Sequence, residues 1–239
     1  MNLKNEVISI MSNWAPEDTA ESWDNVGLQL DTNREISRIA VVLELNLDTW
    51  DIIQQYDYDL IISHHPLIFK PLKAIGHDDW TQNVVRELIR KDVGLYVSHT
   101  NLDRASDGVS DILMRQYELV VSSSNHLVDG YGKVAYFAHP LEIEQLDDKV
   151  PSVAKVIPED LEINSVAFMG GSGKSIVNEV VAQGIDVLVT GELGYHEIQH
   201  IRQQKVGLFL LGHYQSEVFI LDTIRDRLSH LNIEIDVIK

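Results

Sequence analysis

The distribution of apolar and polar positions predicts strands that alternate with helices along the chain. Residues 36–44 and 58–63 are continuous apolar runs rich in β-branched residues, which is typical of buried strands. Residues 79–91 instead carry apolar side chains at the period of a helix. Strands and helices continue to alternate toward the C-terminus, so the predicted fold class is α/β with mainly parallel strands.

The second half of the chain repeats the order of elements in the first half. Moving 127 positions forward takes residues 59–63 onto 186–190. A shorter step of 113 positions takes residues 93–96 onto 206–209, because the first half carries an extra loop around residues 66–79. One further inserted residue would align two candidate pairs described below, His99 with His213 and Asp103 with Glu217. A shared offset over a whole β-α-β unit indicates internal duplication.

The repeat predicts two related α/β lobes, residues 1–125 and 126–239, with a metal site in the cleft between them. A segment near residues 122–162 joins the lobes and contains a strand of its own at residues 131–137. Ligands of open α/β sheets usually bind beyond the carboxyl ends of the strands. The plainer alternative is that any two α/β units look alike once gaps are allowed.

Polar residues follow several of the predicted strands. His64 and His65 follow the strand at residues 58–63 and precede Pro66. Adjacent side chains at a strand end point to opposite faces, and Pro66 prevents a helix from beginning at once. The two imidazoles can therefore face two separate metal ions. The alternative to metal binding is that both histidines are ordinary polar residues at a strand end, with their hydrogen bonds made within the protein.

Three further candidates follow other predicted strands. Asp103 follows the strand near residues 93–97, while His213 and Glu217 follow the strand near 206–212 and lie one helical turn apart. Each has a structural alternative, since Asp is common in helix caps and Glu suits the first turn of a helix. Together with the His pair, they predict a site with nitrogen and oxygen ligands for two divalent ions.

Charge and composition narrow the classes of partner. Nineteen Lys and Arg against 37 Asp and Glu give a net charge of −18, which disfavours nucleic acid and anionic membranes as partners. The absence of cysteine excludes disulfides and thiolate ligands. The mixed-charge N-terminus is unlike a signal peptide, and no apolar run reaches the roughly 18 residues of a membrane span. We expect a cytoplasmic protein whose phosphorylated or other small-molecule substrate requires metal cations.

Two short motifs resemble other kinds of site. The segment HEIQH at residues 196–200 matches the H-E-x-x-H pattern of zinc proteases but lacks the continuation of the metzincins. We expect His196 near the site, facing substrate or transferring a proton, and His200 at the surface. A glycine-rich turn before a helix, with Gly170, Gly171 and Ser172, is a candidate anion site. It is not a phosphate loop, because Phe168 stands where that motif needs glycine.

Six segments spread over nearly the whole chain carry a further signal: ESWDNVGLQL, LIISHHPLIF, LYVSHTNLD, MGGSG, VLVTGELGYHE and LGHYQSE. The most specific are the segment with the paired histidines and the one near the C-terminus. Together they resemble the Nif-three-like family of dinuclear-metal proteins, the GTP cyclohydrolase I type 2 homologues. Asn25, in the first of these segments, is a candidate for contact with substrate.

The resemblance implies a specific division of the ligands. Residues matching His64, Asp103 and Glu217 hold one ion, and those matching His65, His213 and Glu217 hold the other, with Glu217 bridging. It also implies a ring-shaped homohexamer built as a trimer of dimers. The same ligands accept zinc, iron, manganese, cobalt or nickel. In one departure, Glu44 stands where many relatives have Asp.

The leading hypothesis is a metal-dependent hydrolase in which His99 or His196 transfers protons. The family name implies opening of the GTP imidazole ring, although such a site suits phosphoester or amide hydrolysis equally well. A second hypothesis is a non-enzymatic protein that handles metal or binds a regulatory partner. A third is a zinc protease, which would require His200 as a ligand.

Overall fold

The structure, a computed structural model, describes residues 2–127 and 129–239. Contacts divide the chain into a first unit, Met1–Ala105 with Ile220–Lys239, and a second unit, Ser106–Phe219. This division differs from the boundary expected at residue 125 in two ways. Residues 106–125 belong to the second unit, and Ile220–Lys239, the last helix and strand, belong to the first. Within the described residues, no helix combines the length and apolar character needed to cross a membrane.

The strands of the described residues alternate with helices as the sequence predicts. The strands are β1 (Gly27–Leu30), β2 (Arg38–Val42), β3 (Leu60–Ser63), β4 (Gly94–Val97), β5 (Ser123–His126), β6 (Lys133–Leu141), β7 (Ala154–Val156), β8 (Ile163–Ser172), β9 (Val187–Glu192), β10 (Gly207–Leu210) and β11 (Glu234–Ile238). The helices are α1 (Leu3–Trp14), α2 (Leu47–Ile53), α3 (Trp80–Lys91), α4 (Thr100–Arg104), α5 (Val109–Gln116), α6 (Ile143–Lys149), α7 (Val177–Ala182), α8 (Tyr195–Gln203), α9 (His213–Glu217) and α10 (Ile220–Leu228). Short 3₁₀ turns lie at Glu17–Thr19 and Gly173–Ile176.

The first unit is built on a five-stranded sheet in the order β1-β4-β3-β2-β11. Strands β11, β2, β3 and β4 run parallel, and β1 pairs antiparallel with β4. Strands β2, β3 and β4 are short and almost wholly buried, which explains their continuous apolar sequences. Trp50 of α2 and Val84 and Leu88 of α3 pack with them in one core.

The second unit is built on a six-stranded sheet in the order β5-β6-β8-β9-β10-β7. Its centre, β8-β9-β10, is parallel, and the outer strands β5, β6 and β7 pair antiparallel. Strand β6 includes the strand predicted at residues 131–137 from Lys133 onward. Both units are therefore α/β, as predicted.

The register of the two parallel sheets agrees with the internal duplication. Ile39 lies opposite Leu60 in the first unit, and the residues 127 positions later, Val166 and Val187, lie opposite each other in the second. The partner of Leu60 on β4 is Gly94, while the partner of Val187 on β10 is Gly207, 113 positions after Gly94. Both offsets found in the sequence are therefore offsets between equivalent strand positions.

An aspartate occupies the same position in each repeat, buried in the first unit and partly buried in the second. Asp59 accepts hydrogen bonds from the amides of Ser37 and Arg38 and from the Ser37 hydroxyl, at 2.8–3.0 Å. Asp186 accepts from the equivalent two amides, those of Asn164 and Ser165, and from the Ser165 hydroxyl. In both units, this carboxylate therefore fixes the chain as it enters the first parallel strand.

The offset of 113 positions continues into the helices after β4 and β10, which corrects one detail of the expected alignment. The amide of Asp103 donates to the carbonyl of His99, and the amide of Ser216 donates to the carbonyl of Gly212. His99 therefore corresponds to Gly212, and Asp103 to Ser216. The inserted residue expected to match His99 with His213 is absent, because both helices begin at the same distance from their strands.

We expect Asp59→Ala to lower the free energy of unfolding by about 3 kcal/mol, because three donors lose a charged, buried acceptor. Asp57→Ala is the matched control, since Asp57 is exposed and pairs with Arg34, which also contacts Asp59. Its loss should be much smaller. Guanidinium chloride denaturation measures both, and equal losses would contradict the structural role of Asp59.

Candidate metal centre

The His pair of the first unit is held by the backbone of the sheet. The amide of His64 donates to the carbonyl of Val42 at 3.1 Å, and that of His65 donates to Leu43 at 2.7 Å. The parallel ladder between β2 and β3 therefore continues past Ser63. Both imidazoles leave the sheet from a fixed backbone, with His64 fully buried and His65 partly exposed.

His99 and Asp103 approach this pair from α4 and the residue before it. One ring nitrogen from each of His64, His65 and His99 lies within 4.8 Å of the others. Asp103 Oδ1 lies 3.6 Å from His64 Nε2. The first unit thus gathers three imidazoles and a carboxylate, a donor set that suits divalent transition metals. We call these four residues the imidazole cluster.

Four histidines of the two units share one arrangement, in which Nδ1 faces an oxygen of a neighbouring group. The pairs are His64 with Ser98 O at 2.8 Å, His65 with Glu44 Oε2 at 3.7 Å, His99 with Asp24 Oδ1 at 3.0 Å, and His213 with Glu192 Oε1 at 3.2 Å. An acceptor at Nδ1 favours the tautomer that offers Nε2 as a ligand atom and orients the ring. This is how proteins commonly prepare histidines for metal.

Asp24 is a site residue that the sequence reasoning missed. Its side chain is fully buried and accepts bonds from the His99 ring and from the amide and hydroxyl of Thr100. Burial alone raises the pKa of Asp24, but the hydrogen bonds from His99 and Thr100 outweigh burial and hold that pKa well below its usual range. The residue lies in a polar loop, where sequence indicates only a turn.

Asn25, a candidate for substrate contact, connects two loops. Its amide nitrogen donates to the carbonyl of Ile68 at 2.5 Å, in the loop that follows the His pair. The side chain of Gln29 also bonds the backbone of Ile68, accepting from its amide at 3.0 Å. These bonds support the loop that follows the His pair, and contact of Asn25 with a substrate stays a prediction.

In the second unit, His213 and Glu217 form a pair on α9. His213 Nε2 lies 3.3 Å from Glu217 Oε2, and its Nδ1 lies 3.2 Å from Glu192 Oε1. The hydrogen bond to Glu217 raises the pKa of His213 to about 9 against the opposing effect of burial, and Glu192 raises it further. The imidazole therefore holds a proton between two carboxylates, in a place where a metal cation would satisfy the same charges.

Glu217 is nearly buried, at 4% exposure, and is the last residue of α9. The sequence placed it in the first turn of one continuous last helix, but α10 begins separately at Ile220. The helix-dipole explanation therefore does not apply to Glu217, because that effect favours acids at the N-terminal end. Its burial needs positive charge instead.

The glycines expected to form an anion-binding turn make room for Glu217. Gly170, Gly171 and Ser172 are the last residues of β8, and the amide of Gly171 donates to Ser216 Oγ at 2.9 Å. A Cβ on Gly171 would lie 2.3 Å from Glu217 Oε1, and one on Gly170 would lie 3.1 Å from Glu217 Cγ. The Gly171 amide is thus engaged within the protein, and the two glycines form the wall on which the carboxylate rests.

The H-E-x-x-H segment forms α8, with His196 exposed and His200 half-buried. Among residues 2–127 and 129–239, none of the His, Asp and Glu groups with metal-like spacing includes either histidine. Glu197 between them lies 3.6 Å from the ammonium of Lys174. The geometry gives no support to a zinc-protease site.

The fold and these two clusters define an α/β protein that carries imidazole and carboxylate groups at the carboxyl ends of parallel strands. The sequence profile of the Duf34/NIF3 (NGG1p interacting factor 3) family matches residues 1–239. The chain belongs to this family, which confirms the resemblance inferred from its motifs.

Named relatives extend this similarity over most of the chain. It is 32% identical over 220 residues to GTP cyclohydrolase 1 type 2 of Helicobacter pylori, covering 91% of this chain and 88% of that protein. It is 28% identical over 231 residues to the GTP cyclohydrolase 1 type 2 homolog of Clostridium acetobutylicum, covering 91% and 86%. Among solved structures, reduced HcgD from Methanocaldococcus jannaschii matches with a TM-score of 0.82 and 27% identity, covering 99% and 97%.

We expect Gly171→Ala to destabilise the protein more than Gly184→Ala does. Both glycines have positive φ, +59° and +65°, so each alanine carries a backbone strain of about 1 kcal/mol. Only the Cβ at position 171 collides with Glu217, whereas the Cβ at 184 meets nothing within 4 Å. Denaturation in the presence of a chelator measures the difference in stability. Elemental analysis should show metal loss only in Gly171→Ala, and matching behaviour of the two variants would refute the role assigned to Gly171.

Proposed function

We propose that the protein is a metal-dependent hydrolase and that both clusters supply ligands to one pair of divalent ions. His64, Asp103 and Glu217 would hold one ion, and His65, His213 and Glu217 the other. The observation that carries this proposal is the shared arrangement of the histidines, whose Nδ1 atoms face oxygens and so present Nε2 as the ligand. The names of the relatives, GTP cyclohydrolase 1 type 2 and its homolog, support hydrolysis as the reaction class.

The small number of donors in the second unit supports a pair of ions that shares ligands from both units. The second unit contributes one imidazole and the carboxylates of Glu192 and Glu217, of which Glu192 already faces the outer nitrogen of His213. A tetrahedral or octahedral ion needs more donors than His213 and Glu217 provide. Glu217 has two oxygens and a buried position, which suit a carboxylate that bridges two ions.

Divalent ions in such a site supply the Lewis acidity that activates water for hydrolysis near neutral pH. The chain's own contribution is to orient substrate and to move protons. Of the two candidates for proton transfer, His99 is better supported than the exposed His196, because Asp24 fixes its ring beside His64 and His65. A buried carboxylate that holds the outer nitrogen keeps the inner nitrogen ready to accept and release a proton.

The relatives' names point to GTP as one compound to test, and the same chemistry applies to phosphoesters and amides. We further propose a cytoplasmic homohexamer, a trimer of dimers, as the family resemblance implies. The competing proposal is a non-enzymatic protein that handles metal or binds a regulatory partner. The word "interacting" in the family's description supports it.

We expect two divalent ions per chain in the metal-reconstituted protein, falling to one or none in Glu217→Ala because both ions lose a ligand. Glu35→Ala, which removes an exposed carboxylate, should retain both. Glu192→Ala should weaken metal affinity by roughly 10- to 100-fold, since it removes only the group that orients His213. Elemental analysis after dialysis measures each case. An unchanged count in Glu217→Ala would exclude a bridging role.

We expect the metal-loaded protein to hydrolyse at least one compound in a panel of GTP, phosphoesters and amides. His65→Ala should lower kcat/KM for that compound by about 100-fold or more, because an ion loses an imidazole ligand. His200→Ala is the control and should retain full activity and metal content. Metal that binds and exchanges without any turnover would favour the metal-handling alternative, and loss of metal in His200→Ala would revive the protease hypothesis.

A further inference from the structure

Two exposed aromatic rings lie beside the imidazole cluster of the first unit. Trp23 is 56% exposed and Phe69 is 45% exposed, and their ring centroids lie 5.9 Å apart at 64°. The Trp23 ring also lies 6.4 Å from the His99 ring at 71°. Adjacent large aromatic rings left open to solvent next to polar groups are typical of ligand-binding surfaces.

The loops that carry these rings are fixed to the protein and to each other. Asp24, next to Trp23, is anchored by His99 and Thr100 through its buried carboxylate. Asn25 donates to the carbonyl of Ile68, next to Phe69. The two rings are therefore held in place from behind while their outer surfaces stay exposed. A surface organised in this way loses little conformational entropy when it binds a ligand.

The orientation of the rings limits what the surface can bind. Both neighbours meet the Trp23 ring at steep angles, so neither Phe69 nor His99 stacks flat on the indole. More than half of the Trp23 surface is exposed, so a flat ring can lie against it, as bases do on aromatic side chains. The carboxylate of Asp24 has no exposed surface, so Asp24 itself presents no negative charge to a ligand on Trp23.

We propose that Trp23, with Phe69 at its side, forms a subsite that stacks a planar heteroaromatic ring of the substrate beside His99. This inference rests on the proposed hydrolase function and specifies its substrate class. Stacking on Trp23 places the ring next to the imidazole assigned to proton transfer. Asp24 and Asn25 act as positioning residues, because they hold the two loops rather than touch the ligand.

The experiment compares inosine, a purine nucleoside without phosphate groups, with ribose, which lacks the ring. Ligand-observed NMR titrations of the metal-loaded protein give the dissociation constants for wild type, Trp23→Ala and Trp23→Phe. Tyr56→Ala is the matched control, since Tyr56 is 47% exposed and belongs to the same unit, but its ring lies beside Tyr58 and Arg38. The titrations are repeated after treatment with a chelator.

We expect inosine to bind more tightly than ribose and Trp23→Ala to weaken inosine binding about tenfold. Trp23→Phe should keep most of the affinity, and Tyr56→Ala all of it. Equal binding of inosine and ribose, or an unaltered inosine affinity in Trp23→Ala, would overturn the proposal. So would a change in assembly mass in Trp23→Ala without a change in affinity, because a second copy of the chain would then cover the ring. If wild type fails to retain metal, the hydrolase proposal fails, while the preference for inosine in the chelated protein still tests this subsite.

Discussion

The backbone ladder between parallel strands is the constraint on which the rest of each unit depends. In the first unit, it continues past β3, where the amides of His64 and His65 donate to the carbonyls of Val42 and Leu43 at the end of β2. In the second unit, the amides of Leu211 and Gly212 continue the same ladder beyond β10 by donating to Thr190 and Gly191. Because these strands are buried on both faces, a slip in register would bring polar side chains into the core. The hydrophobic core therefore determines where the candidate ligands lie, because it fixes the register of the strands that they follow.

The two buried carboxylates near these ladders are stabilised in different ways. Asp24 is satisfied within the protein, since His99 and Thr100 donate enough hydrogen bonds to keep it ionised despite burial. Glu217 rests against glycine backbone and faces His213, whose pKa it raises to about 9. Burying a carboxylate costs several kcal/mol unless positive charge compensates it. For Asp24 the compensation is structural, whereas for Glu217 it is a proton that a divalent cation can replace.

The sequence predicted the elements that repeat and missed those that do not. Apolar runs identified β2 and β3, and the offset of 127 positions anticipated the pairing of Val166 with Val187, because periodicity and register follow from burial. Asp24 and Trp23 lie in a loop, where no periodicity marks their role. Gly171 was expected to form an anion-binding turn. A sequence does not distinguish a glycine that is needed for its backbone conformation from one that is needed because a neighbouring side chain leaves no room for a Cβ. The prediction of one continuous last helix was wrong: α9 and α10 are separate helices, but the apolar pattern runs unbroken across the end of α9.

The two copies of the repeat have diverged where β3 and β9 end. His64 and His65 correspond to Gly191 and Glu192 at the offset of 127 positions. Gly191 has no room for a side chain, because a Cβ there would lie 2.5 Å from both the Gly171 carbonyl and Ser216 Oγ. The second copy therefore cannot hold an imidazole where the first holds His64. Close packing of glycines in the second copy accommodates Glu217, and the space at the same strand end in the first accommodates the His pair. The two copies thus offer different ligands from one ancestral arrangement of strands.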